Sequence, residues 1–102
     1  MYKIELTLAA HEDLEDIVYY ISKNLKEPTI ARKIYTKIIN EIKKLKTMPH
    51  RHAYVSDIYL HSLGIRPFYI DHYITPYIII EEKKTVLILR VLYARRDWKN
   101  LL

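Results

Sequence analysis

One hundred and two residues without a cysteine are expected to form one domain, residues 1–102, with neither a disulfide framework nor a thiolate metal site or nucleophile. Half the residues are hydrophobic, enough for one ordinary core. No run reaches the ~18 apolar residues of a membrane span, and charges inside the first apolar run argue against a signal peptide, so a cytoplasmic protein is expected. Seventeen Lys and Arg against twelve Asp and Glu, a formal +5, make this a basic protein and point either to an anionic partner or simply to solubility.

Residues 2–8 alternate, with Tyr2, Ile4, Leu6 and Leu8 on one face, which predicts a half-buried or edge strand. Ala10, Leu14, Ile17, Val18 and Ile21 then fall on one helical stripe, with Thr7 as a candidate N-cap. Glu12, Asp13, Glu15 and Asp16 crowd the first half of that helix, where the helix dipole favours negative charge. They read as a solvated face rather than as paired catalytic acids. Ser22-Lys23-Asn24 ends the helix, and Pro28 suits the first turn of a second one. The second helix carries Ala31, Ile34, Tyr35, Ile38, Ile42 and Leu45 on its apolar stripe, continuing to about Met48. Lys33, Lys37 and Lys44 lie on the opposite face, as a phosphate track or as plain solvation. The short connection makes the two helices an antiparallel hairpin.

Residues 47–62 hold Pro49, His50, Arg51, His52 and His61. A His-x-His pair can ligate a metal from a strand, but no carboxylate or cysteine cluster accompanies it; a basic loop and no metal site are expected. Gly64 opens a strand at 65–70, Asp71-His72 is a turn candidate, and a strand returns over 73–81. Residues 85–94 are apolar and β-branched apart from Arg90, which predicts a strand buried on both faces, inside a sheet. Pro67 and Pro76 cannot donate to a ladder and should mark a bulge or an edge. The order β-α-α-β-β-β is an α+β fold, a helical hairpin packed on a four-stranded, mostly antiparallel sheet. Arg95 and Arg96 follow the last strand as structural partners of Asp97, a docking edge or a phosphate site. The ten tyrosines suit half-buried sheet faces, though they also stack on bases.

This order resembles the RelE/ParE superfamily of toxins from type II toxin–antitoxin modules, in its ParE-like, plasmid-stabilisation branch. The likeness rests on Ala10, Asp13-Leu14, Ile17 and Tyr20-Ile21 in the first helix, Ala31 and Leu45 in the second, Pro49, Gly64-Ile65-Arg66, Tyr73 and Tyr77, and above all residues 86–98. The resemblance implies a growth-arresting toxin without a cofactor, neutralised by a cognate antitoxin. ParE-like members inhibit DNA gyrase; RelE-like members cleave mRNA in the ribosomal A site. For the ribonuclease activity it implies Arg66, Tyr93, Arg95 and Arg96 as catalytic residues, with Arg66 on the phosphate. The candidates for nucleic-acid or partner binding are Lys33, Lys37 and Lys44 of the lysine ridge together with Arg66, Arg90, Arg95, Arg96 and Trp98. Tyr93 stands where many ParE-like sequences have histidine, and an ordinary tyrosine, with a pKa near ~10, is a poor general base. The reading therefore leans to gyrase. The structural alternatives are Arg66 paired with Glu81 or Asp97, Arg90 as a satisfied buried ion and Tyr93 as core. A non-catalytic nucleic-acid- or partner-binding module is the third class.

Overall fold

The first strand is shorter than its alternation suggests, because Thr7 starts a helix. In the computed structural model, which describes all 102 residues, β1 spans Lys3–Leu6 and α1 spans Leu8–Tyr19. The Thr7 hydroxyl accepts the Ala10 N–H at 3.0 Å and donates to the Leu89 carbonyl at 2.7 Å, so one side chain both caps the helix and ties it to the sheet. Leu8, expected on the strand face, opens α1 instead and is exposed. The helix widens into a π turn at Tyr20–Asn24. Pro28 then begins α2, Pro28–Lys43, which buries Ala31, Ile38 and Ile42. This helix stops before Met48: a 3₁₀ turn takes over at Lys44–Lys46. Within the expected loop lies a short helix, α3, Ile58–Ser62, capped by Asp57, whose carboxylate accepts the Leu60 N–H at 2.9 Å. No helix is long and apolar enough to cross a membrane.

The strands are interrupted where single sequence runs predicted continuous ones. Only Tyr69–Ile70 (β2) of residues 65–70 is strand, with Arg66 bridged to Tyr77 ahead of it. The next run divides into β3, Tyr73–Ile74, and β4, Tyr77–Ile80. The last divides into β5, Thr85–Ile88, and β6, Leu92–Tyr93. The result is two three-stranded ladders, β1-β5-β4 and β2-β3-β6. β5 is interior, parallel to β1 and antiparallel to β4, whereas β6 is an edge. The two ladders continue one another, since β3 leads into β4 and β5 into β6, and together they make the expected helical-hairpin-on-sheet α+β fold.

The break has a definite cause. Between Ile74 and Tyr77 lie two residues, Thr75 and Pro76; between their partners Leu92 and Ile88 lie three, Leu89, Arg90 and Val91. The extra residue is a β-bulge, which leaves a backbone group unpaired and bends the strand. Pro76 sits opposite it, and Pro67 lies on the outer strand beside Arg66, which exchanges both backbone bonds with Tyr77 at 2.8 and 2.9 Å. Both prolines thus occupy positions where a donor is dispensable. Asp71 turns the β2–β3 hairpin with φ +52°, a left-handed conformation that Asp tolerates better than most residues.

The bulge also changes which face a side chain serves. Val86 and Ile88 join a core of eleven buried residues under the hairpin, with Leu14, Ile38, Ile42, Leu45, Phe68 and Tyr77 among them. Past the bulge Val91 belongs to that core, while Leu92 joins a second cluster with Val55, Leu60, Ile65, Ile74 and Trp98. Both faces of the sheet are therefore covered, one by the helical hairpin and the other by α3, the segment before it and the C-terminal 3₁₀ turn at Trp98–Leu101.

Candidate functional site

Arg90, the one charge in the last strand run, is fully occupied. Its Nε and Nη2 donate to the two oxygens of Asp13 at 2.7 and 2.9 Å, and Nη1 donates to the Leu101 carbonyl at 2.9 Å. Asp13 also accepts the Val91 N–H at 2.9 Å, a backbone donor of the bulge. Its hydrogen bonds raise the Arg90 pKa further above its already high value, against the opposing effect of burial. One carboxylate of the acidic cluster is thus an internal strut and not part of a solvated face. The signal was present in the sequence: Asp13 stands three residues after Ala10 and four before Ile17, on the apolar side of α1.

Arg66 is also turned inward. It is 9% exposed, its Nη1 donates to the His52 carbonyl at 2.6 Å, and its guanidinium lies 4.0 Å from the Tyr54 ring centre. It forms no ion pair with Glu81 or Asp97. Arg66 opposes Tyr77, and Tyr93 opposes Tyr73 across the other edge of the same strand pair. Directly opposed residues share a face, so both side chains look toward the hairpin side. They lie four residues apart along that run, about 13 Å, and on opposite flanks of it.

Tyr93 packs edge-on against Tyr73 with ring centres 6.0 Å apart, and His72 stands 6.5 Å away. Burial, then the neighbouring Tyr93, pushes the Tyr73 phenol up. The two tyrosines close a groove of about 610 Å³ between sheet and hairpin, walled by Ile17, Tyr20, Ile21, Leu25, Ile30 and Ile34. Arg95 and Arg96 follow immediately, exposed, in a turn closed by the Arg96 N–H on the Tyr93 carbonyl at 3.0 Å. Neither pairs with Asp97, which accepts from the Asn100 amide instead. Trp98 is 7% exposed and belongs to the second core, so it offers no stacking surface. The structure therefore places Tyr93, Arg95 and Arg96 together beside an apolar groove and leaves Arg66 and Arg90 elsewhere. Sequence reading missed the groove's other walls, because Tyr20, Leu25 and Ile30 come from three consecutive stretches that only the π turn and α2 bring to one side.

The remaining candidates are dispersed. Lys33, Lys37 and Lys44 do line one polar face of α2 with Arg32 and Asn40, but Lys37 lies 3.7 Å from Asp71 and Lys44 pairs with Glu41. His50 meets Glu81 at 2.8 Å, His52 stacks on Phe68 and His61 on Tyr54. No three His, Cys, Asp or Glu side chains gather at metal-binding distance.

A helical hairpin over a mixed sheet is the fold this chain shares with ParE and RelE toxins of solved structure. A sequence model described as "ParE toxin of type II toxin-antitoxin system, parDE" matches residues 4–98. The chain belongs to this family of type II toxin–antitoxin toxins. Solved structures with the same fold include the chromosomal ParDE TA system from P. aeruginosa, at 22% identity and a TM-score of 0.76, covering 93% of this chain and 98% of that one. The toxin–antitoxin complex RelBE2 from Mycobacterium tuberculosis is similar at 24% identity and a TM-score of 0.63, covering 90% of each chain. The isolated E. coli RelE toxin follows at 15% identity and a TM-score of 0.60, covering 100% of both. A comparison with curated protein sequences finds no match.

Proposed function

We propose that this toxin arrests growth in the cytoplasm by inhibiting DNA gyrase, and that an acidic, largely disordered antitoxin neutralises it. The observation that carries the reading is the separation of Arg66 from Tyr93. Cleavage of RNA by its own 2′-OH needs a base, a phosphate-binding cation and an acid converging on one point. Here the Arg66 guanidinium is spent on the His52 carbonyl and the Tyr54 ring, and that of Arg90 on Asp13. Match to the ParE family over residues 4–98 supports the same direction. The exposed arginine turn and the apolar groove suit a segment that folds on binding, with apolar anchors between Ile17, Tyr20 and Ile34 and carboxylates on Arg95 and Arg96. Part of that affinity falls with salt, because exposed charge pairs are screened over a Debye length of ~8–10 Å.

Induction without the antitoxin should give DNA damage and filamentation before any loss of translation, and the purified protein should block supercoiling by gyrase. Rapid A-site cleavage of a reporter mRNA with supercoiling intact would overturn the assignment. The Arg95→Ala/Arg96→Ala double variant should keep its thermal stability, since neither side chain has an internal partner, and lose most of its toxicity. A second reading, RNA cleavage, rests on one contact: His72 beside Tyr93 supplies an imidazole next to the arginine turn. It requires His72→Ala to abolish mRNA cleavage.

A further inference from the structure

His52 stands in an enclosure that suits a neutral ring and not a charged one. Its imidazole lies 4.4 Å from the Phe68 ring, tilted by 30°, and edge-on to Tyr77 at 6.3 Å. Its Nε2 is buried and meets no hydrogen-bond partner. A neutral imidazole can leave that nitrogen as a bare acceptor; an imidazolium makes both nitrogens donors and would bury an N–H and a charge unpaired. The charges that act on the ring are the guanidinium groups of Arg51 and Arg66, both repulsive to a second cation. Tyr77 brings none: its phenol donates to the Pro49 carbonyl at 2.6 Å, and burial pushes its pKa up to about 12. Glu81, the carboxylate beside this segment, is engaged by His50 at 2.8 Å and by Tyr2 at 3.1 Å.

The same residue holds Arg66 through its backbone, since the His52 carbonyl accepts from Nη1 at 2.6 Å. We propose that His52 is a proton-operated latch on residues 49–54. Neutral, its ring seats this segment against Phe68 and Tyr77, so that its carbonyl holds Arg66. Protonated, it lifts the segment from the sheet, frees the guanidinium and uncovers the floor beneath Tyr54. Burial first, then Arg51 and Arg66, hold the imidazole below its ordinary range. The unfolded or lifted segment takes up its proton near ~6.5. The closed state is therefore fully favoured above that value, and its advantage falls as the pH drops below it toward the folded value.

Amide exchange and ¹³C-detected titration of the His52 ring, measured on the whole protein, test the latch. Between about pH 7 and 5, protection of the Val55 N–H, which bonds the Ile65 carbonyl at 3.0 Å, should be lost together with the slow exchange of the Arg66 guanidinium. His52→Phe keeps an aromatic ring on Phe68 and removes the titration, so its protection should stay flat across the same range. Equal loss in wild type and variant, or a wild-type ring that takes its proton in the ordinary range with the segment still closed, would overturn the proposal. The wild-type titration decides the matter even where the variant fails to fold. His50→Gln, which removes the other imidazole of the segment, should leave the loss of protection in place.

Discussion

The sheet face under the helical hairpin and the face turned away from it are both sealed, but by different kinds of chain. Under the hairpin, eleven buried residues come mostly from α1, α2 and the strands, elements with regular hydrogen bonds of their own. On the far side, six are covered by a five-residue helix, the segment before it and a terminal 3₁₀ turn. Regular elements bring their own backbone satisfaction to a core, whereas irregular ones borrow it from turns and caps, so the far face should open at lower free-energy cost. Asp13 joins the two halves, because the bulge it supports is the point at which the strand changes sides.

The comparison breaks most sharply at that joint. Asp13→Ala leaves the Arg90 guanidinium and the Val91 N–H without their acceptor and should cost about 3–5 kcal/mol, read by urea denaturation. A loss under about 1 kcal/mol would show that the bulge supports itself. Next in size, Ile38→Ala should cost about 3 kcal/mol and lower protection of every slowly exchanging amide. Leu60→Ala should cost about 2 kcal/mol and raise exchange mainly around α3 and Trp98. Equal, global effects of the two would mean that both faces form one cooperative unit. The smallest effect is at Tyr77, whose phenol reaches across to Pro49. Tyr77→Phe should cost about 1 kcal/mol at neutral pH by losing that bond. The wild type should lose further stability at high pH, because its folded phenol ionises only at about 12 while the unfolded one ionises near ~10. The loss runs between those two values and is absent from the variant.

The hairpin side was legible because its information is local. Ala10, Leu14 and Ile17 mark one helix and Ala31, Ile38 and Ile42 the other; Thr7 and Pro28 set their starts. Pro67 and Pro76 announced that something interrupts the sheet. What interrupts it was not legible, because a bulge is a relation between two strands, fixed by counting Leu89–Val91 against Thr75 and Pro76. The Asp13–Arg90 pair spans 77 residues of sequence, and neither partner shows locally that it has found the other. Trp98 read as a surface aromatic for a related reason. Its burial depends on Val55 and Leu60, which lie in a stretch whose histidines and proline suggested a solvated loop. Of the site, Tyr93, Arg95 and Arg96 were visible as the end of an apolar run; the groove beside them was not.

The single extra residue between Ile88 and Leu92 works as a phase shifter in the pleat. Upstream of it, even-numbered side chains look to the hairpin; downstream, odd-numbered ones do, which is how Val91 and Tyr93 come to the same side as Val86 and Ile88. Deleting one residue there would leave two residues facing Thr75 and Pro76, so the bulge would vanish while Leu92 still met Ile74, Tyr93 still met Tyr73 and both kept their faces. What would change is the bend of the strand and the geometry that offers the Val91 N–H to Asp13. Losing one residue from this short stretch therefore changes the curvature of the sheet and the tie to Asp13, rather than the chemistry that the groove presents to a partner.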